Sequence, residues 1–276
     1  MRSIEELETI CHDLRVSILK MIAAAGSGHP GGSLSSVEVM TALYFAVMNY
    51  RVGEPGWSGR DRFIISKGHG VPTVYAALAR AGCIEESELE GLRSIGSRLQ
   101  GHPDRQRLPY IEAATGSLGQ GLSVAVGIAL AEQLDQANDY RVYCLLGDGE
   151  IQAGQVWEAA MSAGKFGLGK LTAIVDYNKV QLDGQVDAIM NLEPLVDKWS
   201  AFGWNVIEVD GHDLREVLQA FDRSRETTDA PTVIVAHTVK GKGVSFMEGT
   251  HAWHGKAPSA EELDRAIAEV DAAMAS

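Results

Sequence analysis

The chain has 276 residues, of which 45% are hydrophobic and 22% charged, and its formal net charge is −13. That much apolar material buries a full core, and the acidic excess argues against nucleic acid or an anionic membrane surface as partner, since both need a basic face. Cys11, Cys83 and Cys144 have no metal or redox spacing and read as reduced thiols of a cytoplasmic protein; neither a signal peptide nor an apolar run of membrane-spanning length is visible.

Ser3 followed by Glu6 is a capping-box pattern, and Leu7, Ile10, Leu14, Ile18 and Met21 continue it as an amphipathic helix ending near Gly26. Residues 26–32, Gly-Ser-Gly-His-Pro-Gly-Gly, are too glycine-rich for helix or strand. Residues 35–48 read as a second helix, and Arg62-Phe-Ile-Ile-Ser66 as a short buried strand ending in Lys67-Gly-His69-Gly. Residues 71–95 read as helix in two pieces divided near Gly82, followed by the loop Gln100-Gly-His102-Pro-Asp104. From about Leu118 a helix runs apolar through Val124, Val126, Ile128 and Leu130. Such a helix is expected to be buried on every side, with Gly119, Gly121 and Gly127 letting another backbone approach, as at the centre of a subunit interface.

Residues 142–146 form an apolar run of strand composition that breaks at Gly147-Asp148-Gly149, and a second run, 171–175, ends just before Asp176-Tyr177-Asn178. Between them Val156, Ala159, Ala160, Ala163 and Phe166 recur at helical intervals, so the unit is strand, helix, strand, closed as a parallel pair. Residues 205–209 and 232–236 are further strands, with a charged amphipathic helix at 214–224 between them, and a Ser259 and Glu262 capping box opens a last helix. This alternation predicts an α/β fold, a doubly wound, mostly parallel sheet with helices on both faces, and residues 1–276 read as one domain.

Both strand ends of the central unit emerge on one edge of the sheet, so Asp148 and Asn178 converge where open α/β sheets bind ligands. A carboxylate, a side-chain amide and the Val180 carbonyl are hard oxygen donors of the sort Mg²⁺ or Ca²⁺ takes, with remaining positions left for phosphate and water. Gly-Asp-Gly alone reads first as a strand-ending turn; Asn178 at this spacing reverses that reading. Of eight histidines, His29, His69, His102, His212 and His254 adjoin a glycine. Imidazole donates to phosphate and hydroxyl oxygens and moves protons near neutral pH. His12 and His237 read as structural and His212 as a helix-entry turn residue. No histidine pair has zincin spacing and no cysteine lies near one, which disfavours zinc, and residues 26–32 lack the Gly-Lys-Ser/Thr end of a P-loop. Lys240-Gly-Lys-Gly reads equally as a basic turn or as a phosphate contact.

RVYCLLGDGE with VWEAA, GSGHPGG from Gly26, SKGHG from Ser66, GHPD from Gly101, TGSLGQGL from Thr115 and WHG from Trp253 together make the chain resemble the transketolase family over nearly its whole length. The resemblance implies the thiamine diphosphate-binding fold, with Asp148, Asn178 and the Val180 carbonyl on a divalent metal, Mg²⁺ or Ca²⁺. It places Gly149, His69, His254 and Lys240 at the diphosphate, with Asn178 beside them, and Gly116, Ser117 and Leu118 at the aminopyrimidine ring. His29, His102 and His254 match positions that bind the sugar and assist proton transfer, His254 being preferred to His251 for its Trp-His-Gly context. The implied activity is transfer of a two-carbon ketol unit from a ketose (phosphate) to an aldose (phosphate). The implied partners are a complementary carboxy-terminal subunit carrying the glutamate that activates the cofactor, and a second copy of this chain, in a heterotetramer. Ala153 departs from the family's usual glutamate, which belongs to the contact between paired active sites. The alternatives are the α subunit of a 2-oxo acid dehydrogenase, disfavoured by the GHPGG, KGH and GSLGQG loops, and a non-catalytic cofactor-binding assembly subunit.

Overall fold

The computed structural model describes residues 2–135 and 138–274. Helix α1, Ile4–Ala25, starts on the expected capping box, with the Ser3 hydroxyl accepting from the Glu6 amide and Gly26 closing the end in the left-handed conformation. Short helices α2, Pro30–Leu34, and α3, Val37–Ala42, lead to strand β1, Arg62–Ile65, and then to α4, Val71–Arg80, and α5, Gly121–Asp135. The central unit is β2, Val142–Gly147, α6, Gly154–Phe166, and β3, Leu171–Tyr177. Helices α7, Val186–Ile189, and α8, Leu195–Ala201, lead to β4, Asn205–Asp210; α9, Leu214–Glu226, β5, Thr232–His237, and α10, Ala260–Met274, complete the order.

The five strands pair in parallel in the order β1-β2-β3-β5-β4. Right-handed crossovers put α5, α6 and α8, which lead into β2, β3 and β4 on the forward steps, on one face, and α9, which steps back from β4 to β5, on the other, where α1 and α4 also pack. The apolar contacts follow this rule: Cys144, Leu146 and Val175 face α5, α6 and α8 through Leu122, Val156 and Trp199. Tyr143, Leu145 and Ile174 face α1, α4 and α9 through Leu14, Val74 and Phe221. Both faces of the sheet are covered, which is why its strands read as unbroken apolar runs. Beyond β3 the chain continues on the α8 face and beyond β5 on the α10 face, so the two neighbouring strands part at their carboxyl ends and open the crevice where doubly wound sheets bind ligands. Among the described residues no helix is long and apolar enough to cross a membrane.

Six sequence-based expectations need correction. The glycine-rich stretch is partly helical, because Pro30 occupies the first helical position, where its missing N–H costs nothing. The helix expected over 35–48 breaks at Ser35-Ser36 and finishes as a wider turn, Leu43–Val47. The second piece expected before residue 95 is only a short 3-10 turn, Glu86–Gly91. Strand β3 runs on through Asp176 and Tyr177, whose ladder to β5 continues to His237. Helix α5 starts at Gly121 rather than Leu118, because Gly116 and Gly119 take φ of 141° and 87°, which no helix accommodates. Nor is it covered on every side: Val124 and Leu134 are 39% and 74% exposed in the single chain.

Candidate active site

Gly147, Asp148 and Gly149 from the end of β2, Asp176, Asn178 and Val180 from the end of β3, Lys67 and His69 after β1, and Lys240 after β5 line a cavity of about 140 Å³ with Leu118 and His254. Clefts of about 660 and 860 Å³ open elsewhere on the surface. Neither gathers the convergent buried polar groups that mark a ligand site, so chemistry rather than size selects the smaller one.

Asp148 is buried; its carboxylate accepts from the Gly149 amide at 2.7 Å and from the Lys179 amide. The Asn178 amide donates to Asp176 at 2.9 Å, which fixes its oxygen toward the Val180 amide at 3.1 Å. The Val180 carbonyl accepts from the Lys240 ammonium at 2.9 Å, so this carbonyl is already turned toward a cation. The three proposed metal-binding groups therefore converge on one cavity, which the buried Lys240 also lines. Burial first, and the neighbouring Asp176 charge second, push the Asp148 carboxyl up to about 7; burial pulls the Lys240 ammonium down to about 8. A buried carboxylate short of positive charge is the donor a hard divalent cation would relieve.

Four histidines meet above this floor. The His29 ring lies 5.3 Å from His69, 5.4 Å from His254 and 6.5 Å from His102, and His69 lies 5.0 Å from His254. His29 caps α2, His69 sits in the turn after β1, His102 is in a loop packed on Gly116, and His254 follows a 3-10 turn, His251–Trp253. Burial is the largest cause in each case, followed by nearby cations, and it pulls His29 down to about 4, His254 to about 3, and His69 and His102 below the usual imidazole value. All four are thus neutral at pH 7 and each offers one donor and one acceptor, the pattern suited to sugar hydroxyls and to proton transfer between oxygens. His254 Nδ1 is buried without a hydrogen-bond partner, an open position for a ligand oxygen. His251 is exposed and outside the cluster.

The other histidines do structural work. His12 bonds Asp271, His237 bonds Glu208, and His212 bridges Glu38 to the Val239 amide. Ser117 is exposed beside the cavity and Leu118 borders it.

Sequence reasoning missed the groups beneath the floor. Lys67 donates to Asp176 at 2.6 Å, to the Gly32 carbonyl at 2.7 Å and to the Ser36 hydroxyl at 2.5 Å, with both charged residues 2% exposed or less. Asp176 also accepts from Ser35 at 2.7 Å and from Thr238. Glu150, equally buried, accepts from Ser66 and from the amides of Gly119 and Gly147 at 3.0 and 2.9 Å. A lone carboxylate in an otherwise apolar parallel strand was the available signal, since such groups are buried only when paired.

The residues present fit thiamine diphosphate with a divalent ion: a hard donor set, a buried lysine and an unpaired imidazole nitrogen converge, and the glycines of Gly-Asp-Gly leave room for phosphate. Cavities that enclose a whole ligand of that size run to about 300–1,000 Å³, so this one is too small to enclose the cofactor by itself.

Fold and cavity together are those of a thiamine diphosphate-binding domain. The family described as "Transketolase, thiamine diphosphate binding domain" matches residues 7–271, and the chain belongs to the transketolase family as its amino-terminal domain. It is similar to the 6-deoxy-6-sulfo-D-fructose transketolase subunit SqwG of Clostridium sp. (strain MSTE9), with 45% identity over 96% of each chain. It is also similar to an apulose-4-phosphate transketolase subunit of Phocaeicola vulgatus, with 42% identity over 97% of this chain and 94% of that one. The solved transketolase of Campylobacter jejuni superposes with a TM-score of 0.92 at 32% identity, across 98% of this chain and 43% of its own length. The chain thus spans less than half of the solved transketolases it matches.

Proposed function

We propose that this chain is the diphosphate-binding subunit of a two-chain cytoplasmic transketolase that moves a two-carbon ketol unit from a ketose (phosphate) to an aldose (phosphate). The observation that carries the reading is the cluster of four histidines over a floor of Asp148, Asn178, Val180 and Lys240. When bound, thiamine diphosphate supplies the nucleophilic carbon and electron sink that allow the bond beside a ketose carbonyl to break and re-form. Asp148, Asn178 and the Val180 carbonyl would hold Mg²⁺ or Ca²⁺, Lys240 and His69 would bind the diphosphate with the Gly149 backbone, and residues 116–118 would meet the aminopyrimidine ring. His29, His102 and His254 orient the sugar hydroxyls and relay protons, which the neutral state of each ring permits. The two relatives of matching length, each a transketolase subunit, support a complementary chain, and the uncovered apolar face of α5 supports a second copy of this one.

The test combines acceptor and side chain. The assembled enzyme is expected to consume a ketose donor and aldose acceptor with no acyl acceptor present; an absolute need for one would favour the 2-oxo acid dehydrogenase alternative. His102→Ala is expected to lower sugar turnover while cofactor affinity stays within about tenfold, or 1.4 kcal/mol, of wild type. Loss of cofactor binding by a folded variant would place His102 at the cofactor instead.

A further inference from the structure

Two non-glycine residues among those described have positive φ, Lys179 at 65° and Arg93 at 61°. Bulky residues hold this conformation only where their surroundings compel it, and such positions cluster at functional sites. Lys179 meets the rule, since its amide donates to Asp148. Arg93 has no role in the assignments above.

Its backbone is pinned by donation to the Leu99 carbonyl at 2.9 Å, and its guanidinium lies flat against Gly101, where a Cβ would come within 2.8 Å of Nε. One arm, Nη1, donates to the Ser27 hydroxyl at 2.7 Å; the other, Nη2, lies 3.4 Å from His29 Nδ1. A guanidinium has no lone pair to accept a hydrogen bond and does not deprotonate in proteins. Only an unprotonated Nδ1 can face it, and a neutral imidazole then carries its proton on Nε2. That edge of His29 points toward Gly255, where a Cβ would lie 3.7 Å from both Nε2 and Cδ2, on the side of the ring occupied by His254.

We propose that Arg93 is a positioning residue that selects the Nε2–H tautomer of His29, so that this histidine presents a hydrogen-bond donor to the active site. Building on the transketolase reading, His29 then donates to a sugar oxygen, and acceptance of a proton falls to another ring of the cluster. The ionisable groups around His29 are Arg93, His69, His102, His254 and Lys240. Removing Arg93 takes away one of the cations that hold its protonation back, while burial, the larger cause, persists.

The experiment is side-chain ¹⁵N NMR of the histidines in the full chain, with His29 assigned from the signal lost in His29→Gln. Wild type is expected to show the Nε2–H form. Arg93→Met, and Arg93→Gly, which also relieves the backbone at φ 61°, are expected to lose that preference, with the His29 midpoint rising from about 4 but staying below 6.5. Protonated Nδ1 in wild type, or an unchanged tautomer in both variants, would overturn the proposal. The readout requires neither sugar nor turnover, so it is decided separately from the activity.

Discussion

Asp148→Ala is expected to abolish thiamine diphosphate binding at physiological magnesium. The carboxylate is the one charged group in the proposed metal set; without it the cation is left with two neutral oxygens, and the diphosphate's negative charge enters a cavity that still contains Asp176 and Glu150. Calorimetric titration of the assembled enzyme measures this directly, and unchanged affinity would remove Asp148 from the site. The same assignment predicts a pH dependence. Metal binding requires the carboxylate, and burial with Asp176 nearby raises the metal-free Asp148 to about 7, so apparent cofactor affinity should fall as pH drops below that value. Lys240, lowered to about 8 mainly by burial, loses its charge above that value, so affinity should decline on the alkaline side as well.

Lys67→Met is expected to destabilise the fold by about 3–5 kcal/mol, the cost of leaving one member of a buried ion pair unpaired. Burial acts to raise the Asp176 carboxyl, but Lys67, Thr238 and Ser35 outweigh it and hold it below its ordinary value. The pair's contribution is therefore full above the ordinary carboxylate range and is lost as pH falls through the lower native value. In Lys67→Met burial acts on Asp176 without the compensating ammonium, so the deficit should narrow on acidification, when the carboxyl can neutralise. Urea unfolding at neutral and acid pH tests both parts. A loss below about 1 kcal/mol at neutral pH would mean that the pair behaves like an exposed one.

The fold was legible because a doubly covered parallel sheet writes its strands as apolar runs, and 142–146, 171–175 and 232–236 all lie within strands. The strand-ending Asp148 and Asn178 were legible for the same reason, since topology carries both to one edge. What could not be read was set by contacts between distant segments. Lys67 and Asp176, far apart in the chain, become a pair only when β1 and β3 flank β2. Arg93 acquires meaning only when its turn folds over Ser27 and His29. The late start of α5 depends on two glycine dihedrals that no apolar pattern encodes. That helix also shows why apolarity all round overstates burial within one chain: Val124 and Leu134 stay exposed.

We propose that this chain holds the diphosphate end of the cofactor and completes its active site with a second polypeptide, as its two relatives of matching length, each a transketolase subunit, support. It is tested by expressing the chain alone and together with its complementary subunit, supplying thiamine diphosphate and Mg²⁺, and measuring ketol transfer from a ketose to an aldose. The account predicts no turnover from the chain alone and full turnover from the pair; full activity from the isolated chain would contradict it.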